Sequence, residues 1–148
     1  MKVQAAYALV AAALVVFARI AGPPPRLPEL AATAVGLVVA VVLCAVLLRG
    51  RDSPPRTLLV PGLIAGASEE IVWRWGVLAG LAPRVGWGAA FGLSTAAFAY
   101  RHTRGEGLFA YLLLGGAFGG VFLATGRLAA AVAAHAGYNA LAILRAGR

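Results

Sequence analysis

Residues 58–81 read LLVPGLIAGASEEIVWRWGVLAGL, an apolar run long enough to cross a membrane that carries three charges near its middle. These charges are Glu69, Glu70 and Arg74, so two of the five acidic residues in the chain are adjacent here. A charged side chain at the centre of a bilayer costs about 2.5–3.5 kcal/mol on insertion scales. We therefore expect the three side chains to face a protein interior or a water-filled cavity and to have a function there.

The composition places the chain among integral membrane proteins. Hydrophobic residues make up 61% of its 148 residues and charged residues only 12%, whereas soluble domains contain about 45–50% and about 25%. The net charge of +8 does not indicate a nucleic-acid partner, because the basic residues lie in the gaps between apolar runs. That distribution is typical of short membrane loops, so the predicted partner is the lipid bilayer and not nucleic acid.

Six apolar segments predict an all-α, polytopic transmembrane helix bundle of about six helices, forming one membrane domain over residues 1–148. The segments are 3–18, 30–48, 58–81, 85–100, 108–125 and 128–144. Most are close to the roughly 17–25 residues that a spanning helix needs, and we expect Pro83 to end the third. The first segment also resembles a signal peptide. It has no clear small-residue cleavage site before the prolines that follow it, so a retained helix is the favoured interpretation.

The basic residues predict the orientation of this bundle. With six helices, the two termini share one side of the membrane with the second and fourth loops. That side holds eight lysines and arginines and the other holds four. The eight are Lys2, Arg49, Arg51, Arg56, Arg101, Arg104, Arg145 and Arg148, and the four are Arg19, Arg26, Arg84 and Arg127. Because cytoplasmic loops carry the excess of positive charge, we predict a multi-pass protein of the cell membrane with both termini in the cytoplasm.

Glycines four residues apart predict close approach of helix backbones. Such pairs occur twice in the fifth segment and once in the fourth, at Gly115 and Gly119, Gly116 and Gly120, and Gly88 and Gly92. This spacing is typical of tightly packed transmembrane helices. Tight packing is the favoured interpretation for all three pairs, in preference to a ligand-binding role.

Polar side chains recur at a spacing of four on three segments. The pairs are Glu70 with Arg74, Phe98 with His102, and His135 with Asn139. Residues four apart lie on one face of a helix, and the first pair can form an ion pair along its helix. Two carboxylates, two imidazoles and an amide in one cavity suit hydrolysis. A carboxylate can take a proton from water, and imidazole and amide N–H groups can stabilise an oxyanion.

The same residues form three motifs, EExxxR at 69–74, FxxxH at 98–102 and HxxxN at 135–139. In this order on successive apolar segments, they resemble the CPBP family of intramembrane proteases, which includes the CAAX prenyl endopeptidases and bacterial Abi proteins. The resemblance covers about residues 58–144 and implies a four-helix catalytic core. It also implies an endopeptidase that hydrolyses a peptide bond of a membrane-associated protein or peptide.

The resemblance further implies a role for each motif residue. Glu69 would activate the water with the help of His102, and His135 and Asn139 would form the oxyanion hole. The supporting residues would be Glu70, Arg74 and Phe98.

Metal dependence and activity stay open at this point. Glu69, His102 and His135 could supply three zinc ligands and leave a position for water. The chain has no HExxH motif, however, and a cofactor-free glutamate mechanism is favoured. Two other functions fit the same residues, namely a non-catalytic membrane protein that binds a peptide or confers immunity, and a small proton-coupled transporter. The histidine and asparagine pair favours hydrolysis, because an oxyanion hole requires it and a carboxylate relay does not.

Overall fold

The computed structural model describes residues 6, 9–11, 20–48, 54–102 and 107–145, and within these ranges it contains helices and no strand. The elements in chain order are α1 (Glu29–Leu47), a 3-10 turn (Arg56–Leu58), α2 (Leu59–Glu70), a π-helical segment (Ile71–Ala79), α3 (Gly80–Val85), α4 (Trp87–His102), α5 (Leu108–Thr125) and α6 (Leu128–Leu144). The predicted all-helical bundle is confirmed. Most of the first predicted segment, 3–18, lies outside the described residues.

The third apolar segment forms one continuous helical rod from α2 through the π segment to α3. Its predicted end at Pro83 is wrong, because the helix passes through Pro83 and ends at Val85, with Gly86 as its C-cap. The ring of proline fixes φ near −65°, which a helix accepts, but it removes one N–H donor and crowds the carbonyl four residues before it. Gly86 has a φ of 81°, a conformation that side chains disfavour, so the rod turns into α4 at this glycine.

Helix α6 lies at the centre of the bundle, where it packs against α1, α2 and α5. The backbones approach closely at two glycines. A Cβ atom added to Gly36 of α1 would collide with the backbone of Ala130, and one added to Gly66 of α2 would lie 3.0 Å from the Cα of Ala136. Small residues therefore hold α6, which carries two of the candidate residues, between α1 and α2.

Helices α4 and α5 pack through two of the predicted glycines. A Cβ atom on Gly115 or Gly119 would lie 2.9 Å from the ring of Phe98 or Phe91, respectively. These two rings fill the space that the missing side chains leave. The predicted close packing at this pair of glycines is confirmed.

The prediction is wrong for Gly88 and Gly92 of α4. Both are exposed, and no described atom lies within 4 Å of a Cβ atom built on either. The reason is that a different side of α4 contacts α5, namely the side that carries Phe91, Thr95 and Phe98. The prediction is also wrong for Gly116 and Gly120 of α5, since no described atom lies within 4 Å of a Cβ atom built on either. Of the three predicted pairs, only Gly115 and Gly119 mark a packed face among the described residues.

Two of the described helices, α1 and α5, are long and apolar enough to cross a membrane, and α6 is a shorter apolar helix. The chain before α1 is tied to this bundle. The backbone N–H of Arg26 donates to the carbonyl of Thr125 over 2.9 Å, and the indole N–H of Trp75 donates to the carbonyl of Ile20 over 3.0 Å. Residues 20–28 therefore join the end of α5 and the π segment.

Candidate active site

A cavity of about 270 Å³ lies between α1, α2, α4, α5 and α6. Four polar candidates line it, namely Glu69, His102, His135 and Asn139. The other lining residues are apolar or aromatic: Leu47, Ala65, Phe98, Ala110, Tyr111, Leu114, Phe118 and Tyr138. The structure therefore brings residues from all three motifs to one cavity.

The two glutamates are the last residues of α2, and their side chains diverge. Consecutive residues of a helix point about 100° apart, so Glu69 and Glu70 cannot reach the same partners. Glu69 lines the cavity, whereas Glu70 is fully buried beside it. Two adjacent carboxylates thus occupy two different environments.

Glu70 lies between a cation and an imidazole. Its Oε2 accepts a hydrogen bond from Nε of Arg74 over 2.9 Å, and its Oε1 lies 2.9 Å from Nδ1 of His135. The ion pair predicted from the spacing of Glu70 and Arg74 is present, with both side chains 0% exposed. Because an ionised carboxylate only accepts hydrogen bonds, Nδ1 of His135 carries a proton and donates it to this bond.

Arg74 connects the π segment to α4. Its Nη1 donates to the hydroxyl of Ser94 over 3.1 Å, and that hydroxyl donates to the carbonyl of Trp73 over 2.7 Å. The guanidinium carbon lies 5.2 Å from the centre of the Phe98 ring, within the range of a cation–π interaction. Among the described residues, Nη2 has no hydrogen-bond partner. The buried arginine is thus held on three sides.

Glu69 pairs with His102, the last residue of α4. Oε2 of Glu69 lies 3.2 Å from Nε2 of His102, and Nδ1 of His102 lies 2.7 Å from the carbonyl oxygen of Phe98. The imidazole lies between two aromatic rings, with centroids 4.4 Å from Phe98 and 5.3 Å from Tyr111. These contacts fix the direction in which His102 presents Nε2 to the carboxylate.

The neighbours of His102 determine where its protons lie. A carbonyl oxygen only accepts, so Nδ1 carries a proton. A hydrogen bond between Nε2 and Oε2 of Glu69 then requires a second proton, held on either atom. A carboxylate and an imidazole in this arrangement can hold a proton between them, and such a pair suits acid–base chemistry.

His135 and Asn139 lie on the same face of α6, as their spacing predicts. The imidazole of His135 stacks on Phe118, with ring centroids 4.5 Å apart and planes 15° apart. The amide Nδ2 of Asn139 donates to the carbonyl of Gly62 over 3.0 Å, which uses one of its two N–H groups. Both side chains are thus oriented before any ligand enters, and Asn139 retains one donor.

Three cavity residues, Glu69, His102 and His135, have side chains of the type that binds zinc. Within residues 20–48, 54–102 and 107–145, no three His, Cys, Asp or Glu side chains are grouped so as to hold a metal ion. The bond from Nδ1 of His135 to Glu70 leaves Nε2 for a ligand, an arrangement that also occurs behind metal-bound histidines. We derive no reaction step through a metal.

Sequence reasoning missed two parts of this site. Tyr111 and Phe118, which clamp the two imidazoles, lie among many apolar residues of α5, and no spacing distinguishes them. Ser94 had a signal, because it precedes Phe98 by four residues and His102 by eight, which places it on the same face of α4. The motifs omit this serine, which is buried on that face.

The fold and the site define a polytopic helical membrane protein with a buried carboxylate, histidine and asparagine cluster at one cavity. The model of the type II CAAX prenyl endopeptidase Rce1-like family matches residues 51–141, and the chain belongs to that family. No curated protein and no solved structure matches the chain. Family membership identifies a membrane-embedded protease of the CAAX endopeptidase type, which confirms the resemblance inferred from the three motifs.

Proposed function

We propose that this protein is an intramembrane endopeptidase in which Glu69 activates water to hydrolyse a peptide bond of a membrane-associated protein or peptide. One observation carries this assignment. Of the two adjacent carboxylates, Glu69 lines the cavity, while both oxygens of Glu70 are engaged by Arg74 and His135. Glu69 is therefore the carboxylate that can reach a water and a substrate, with membership of the CAAX endopeptidase family as further support.

Proton transfer in the reaction uses the pair of Glu69 and His102. Glu69 takes a proton from a water molecule as the water oxygen attacks the carbonyl carbon of the substrate. His102, clamped between Phe98 and Tyr111, holds the carboxylate in place through Nε2. When the C–N bond breaks, the proton passes from Glu69 to the leaving amine, so that the pair returns to its starting state.

His135 and Asn139 stabilise the oxyanion that forms at the attacked carbonyl. Asn139 supplies the N–H that Gly62 does not use. His135 donates from Nε2 while Nδ1 donates to Glu70, which requires both ring nitrogens to be protonated. Glu70 is then the counter-ion of the imidazolium, and Arg74 balances its second oxygen. Donors that are fixed in advance need no reorganisation when the oxyanion forms.

We further propose that the chain forms a single domain in the cell membrane, with both termini in the cytoplasm. Its catalytic core spans about residues 58–144, and Leu47 of α1 adds to the cavity wall. Reporter fusions after Arg148 and within the loop at residues 23–25 test the orientation. The fusion after Arg148 should report the cytoplasm and the loop fusion the outside, and the reverse result would overturn the orientation.

The function is tested with purified protein in liposomes and fluorogenic peptides that bear a membrane anchor. One peptide ends in a prenylated CAAX sequence and the other carries a non-prenyl lipid and an unrelated sequence. The wild type should cleave at least one of them at a single bond, as determined by mass spectrometry, and Glu69→Gln should not. Cleavage of the first alone assigns a prenylated substrate, and cleavage of both assigns a broader one.

The other two functions give different results in the same liposomes. A peptide-binding or immunity protein would retain the anchored peptides with equal affinity in the wild type and in Glu69→Gln, and would cleave neither. A proton-coupled transporter would dissipate a pH gradient across the liposome membrane in the absence of any peptide. Either result without cleavage would overturn the protease assignment.

A further inference from the structure

Ser94 lies outside the three motifs but is built into the network behind the cavity. It is 0% exposed in the middle of α4 and makes two hydrogen bonds to the π segment. Its hydroxyl accepts from Nη1 of Arg74 over 3.1 Å and donates to the carbonyl oxygen of Trp73 over 2.7 Å. One small side chain thus joins α4 to two consecutive residues of the π segment.

These contacts exclude a direct role for Ser94 in the reaction. The hydroxyl hydrogen is used by the carbonyl of Trp73, and Ser94 is not among the residues that line the cavity. A nucleophile must reach the substrate, so Ser94 acts through another residue if it acts in the reaction at all. The residue that it contacts is Arg74, which in turn holds Glu70.

The hydrogen bond to Ser94 matters more for Arg74 than it would for an arginine exposed to water. It is fully buried, Nη2 lacks a hydrogen-bond partner among the described residues, and Nε is used by Glu70. Ser94 therefore supplies the one described hydrogen bond to the terminal nitrogens. Removing it would leave both terminal nitrogens of a buried guanidinium without a bond, a state that a buried cation strongly disfavours. The arginine would then turn toward another acceptor and move away from Glu70.

We propose that Ser94 is a positioning residue for hydrolysis, which fixes Arg74 so that Glu70 presents Oε1 to Nδ1 of His135. The order of contacts is Ser94 to Arg74, Arg74 to Glu70, and Glu70 to His135. The π-helical segment is the element that makes this order possible, because it brings Arg74 and the carbonyl of Trp73 to the same hydroxyl. Widened turns of this kind occur often at functional sites. This inference rests on the proposed function of His135 as an oxyanion donor.

The first test compares Ser94→Ala with Ser68→Ala in the liposome assay. Ser68 is a matched control, since it is also buried but its hydroxyl donates to the carbonyl of Ala65 within its own helix over 3.1 Å. Ser94→Ala should lower kcat about tenfold to a hundredfold, the range for a lost hydrogen bond to a charged group, with KM within about twofold. Ser68→Ala should keep kcat within about twofold. Equal values of kcat for the two variants would overturn the proposal.

Two further variants separate hydrogen bonding from packing. Ser94→Cys retains the volume of the side chain but bonds weakly, so it should behave as Ser94→Ala does, and it makes the same comparison if Ser94→Ala does not fold. Ser94→Thr retains the hydroxyl and should restore kcat to within about threefold of wild type. A fully active Ser94→Cys, or an inactive but folded Ser94→Thr, would contradict a role through hydrogen bonding.

A double-mutant cycle decides whether Ser94 acts through Arg74. In an Arg74→Lys background, where Nη1 is absent, the further change Ser94→Ala should alter kcat by less than about twofold. The same factor as in the wild-type background would mean independent effects and would overturn the proposal. A wild type that cleaves no peptide would instead overturn the proposed function, so the two failures are distinguishable.

Discussion

The two glutamates at the end of α2 are adjacent in the sequence but lie in contrasting regions of the molecule. Glu70 lies in the closed region, where Arg74 and His135 bond its two carboxylate oxygens and Ser94 bonds Arg74. Glu69 lies in the open region at the cavity wall, where its partner among the described residues is His102, 3.2 Å away. The closed region provides rigidity, and the open region provides a carboxylate that can exchange a proton with a ligand.

The largest effect is expected from neutralising Glu69, the carboxylate of the open region. Glu69→Gln has nearly the same shape but cannot serve as a base, so peptide cleavage should fall by about 10²–10⁴-fold. Thermal unfolding in detergent should change little, because the closed region is intact. Glu29→Gln is the control, since Glu29 is exposed at the start of α1 and pairs with Arg127 at the surface. Near-normal turnover of Glu69→Gln would show that Glu69 is not the base.

The closed region around Glu70 is tested by removing its cation, Arg74. Arg74→Ala leaves the buried carboxylate of Glu70 without a counter-charge, which should lower the free energy of unfolding by about 3–5 kcal/mol. Activity should fall as well, because Glu70 no longer holds His135. The matched control is Arg84→Ala, because the side chain of Arg84 is exposed and its bond among the described residues is to the carbonyl of Gly80. It should be within about 0.5 kcal/mol of wild type, and equal unfolding of the two variants would contradict a buried ion pair.

The oxyanion donors lie where the two regions meet, and their removal distinguishes a glutamate enzyme from a zinc enzyme. His135→Ala and Asn139→Ala should each lower kcat by about 10²–10³-fold. In a zinc enzyme, replacing Glu69, His102 or His135 would also lower bound metal, and a chelator would remove activity. We expect no stoichiometric metal by elemental analysis and no effect of chelation. Zinc that follows activity from one variant to the next would refute the metal-free mechanism.

The smallest expected effect concerns the packing of Phe98 against the glycines of α5. A Cβ atom on Gly115 would lie 2.9 Å from the ring of Phe98, whereas no described atom lies within 4 Å of one on Gly116. Gly115→Ala should therefore destabilise the protein by about 1–3 kcal/mol through overpacking, and Gly116→Ala should not. The two are compared by thermal unfolding. Equal stabilities would mean that Phe98 can shift without cost.

Most of the fold could be predicted from the sequence, because apolar runs bounded by Pro, Gly and Arg define where helices begin and end. The bounds of α5 and α6 match the predicted 108–125 and 128–144. The π segment could not be predicted, since its residues have the same apolar character as an α-helix. The segment contacts α4 and buries Arg74, and both are tertiary features.

The candidate residues could be found in the sequence, but their partners could not. A spacing of four places Glu70 beside Arg74 on the same helix, and this pair follows from helix geometry alone. The bonds from Glu70 to His135 and from Glu69 to His102 join different helices, and no local pattern specifies them. The sequence also does not show that Asn139 uses one N–H on Gly62, since that contact depends on how closely α2 approaches α6.

The crowding of α6 limits how new substrate preferences can arise in this protein. Gly36 of α1 and Gly66 of α2 lie against its backbone at Ala130 and Ala136, and its own Gly137 faces side chains of α1. Larger side chains at these contacts would push the helices apart and move His135 and Asn139 with them. Helix α5 lines the same cavity with Ala110, Tyr111 and Leu114 and carries none of the proposed reacting groups. A laboratory selection for altered substrate choice should therefore accumulate its substitutions on α5 and leave α6 almost unchanged.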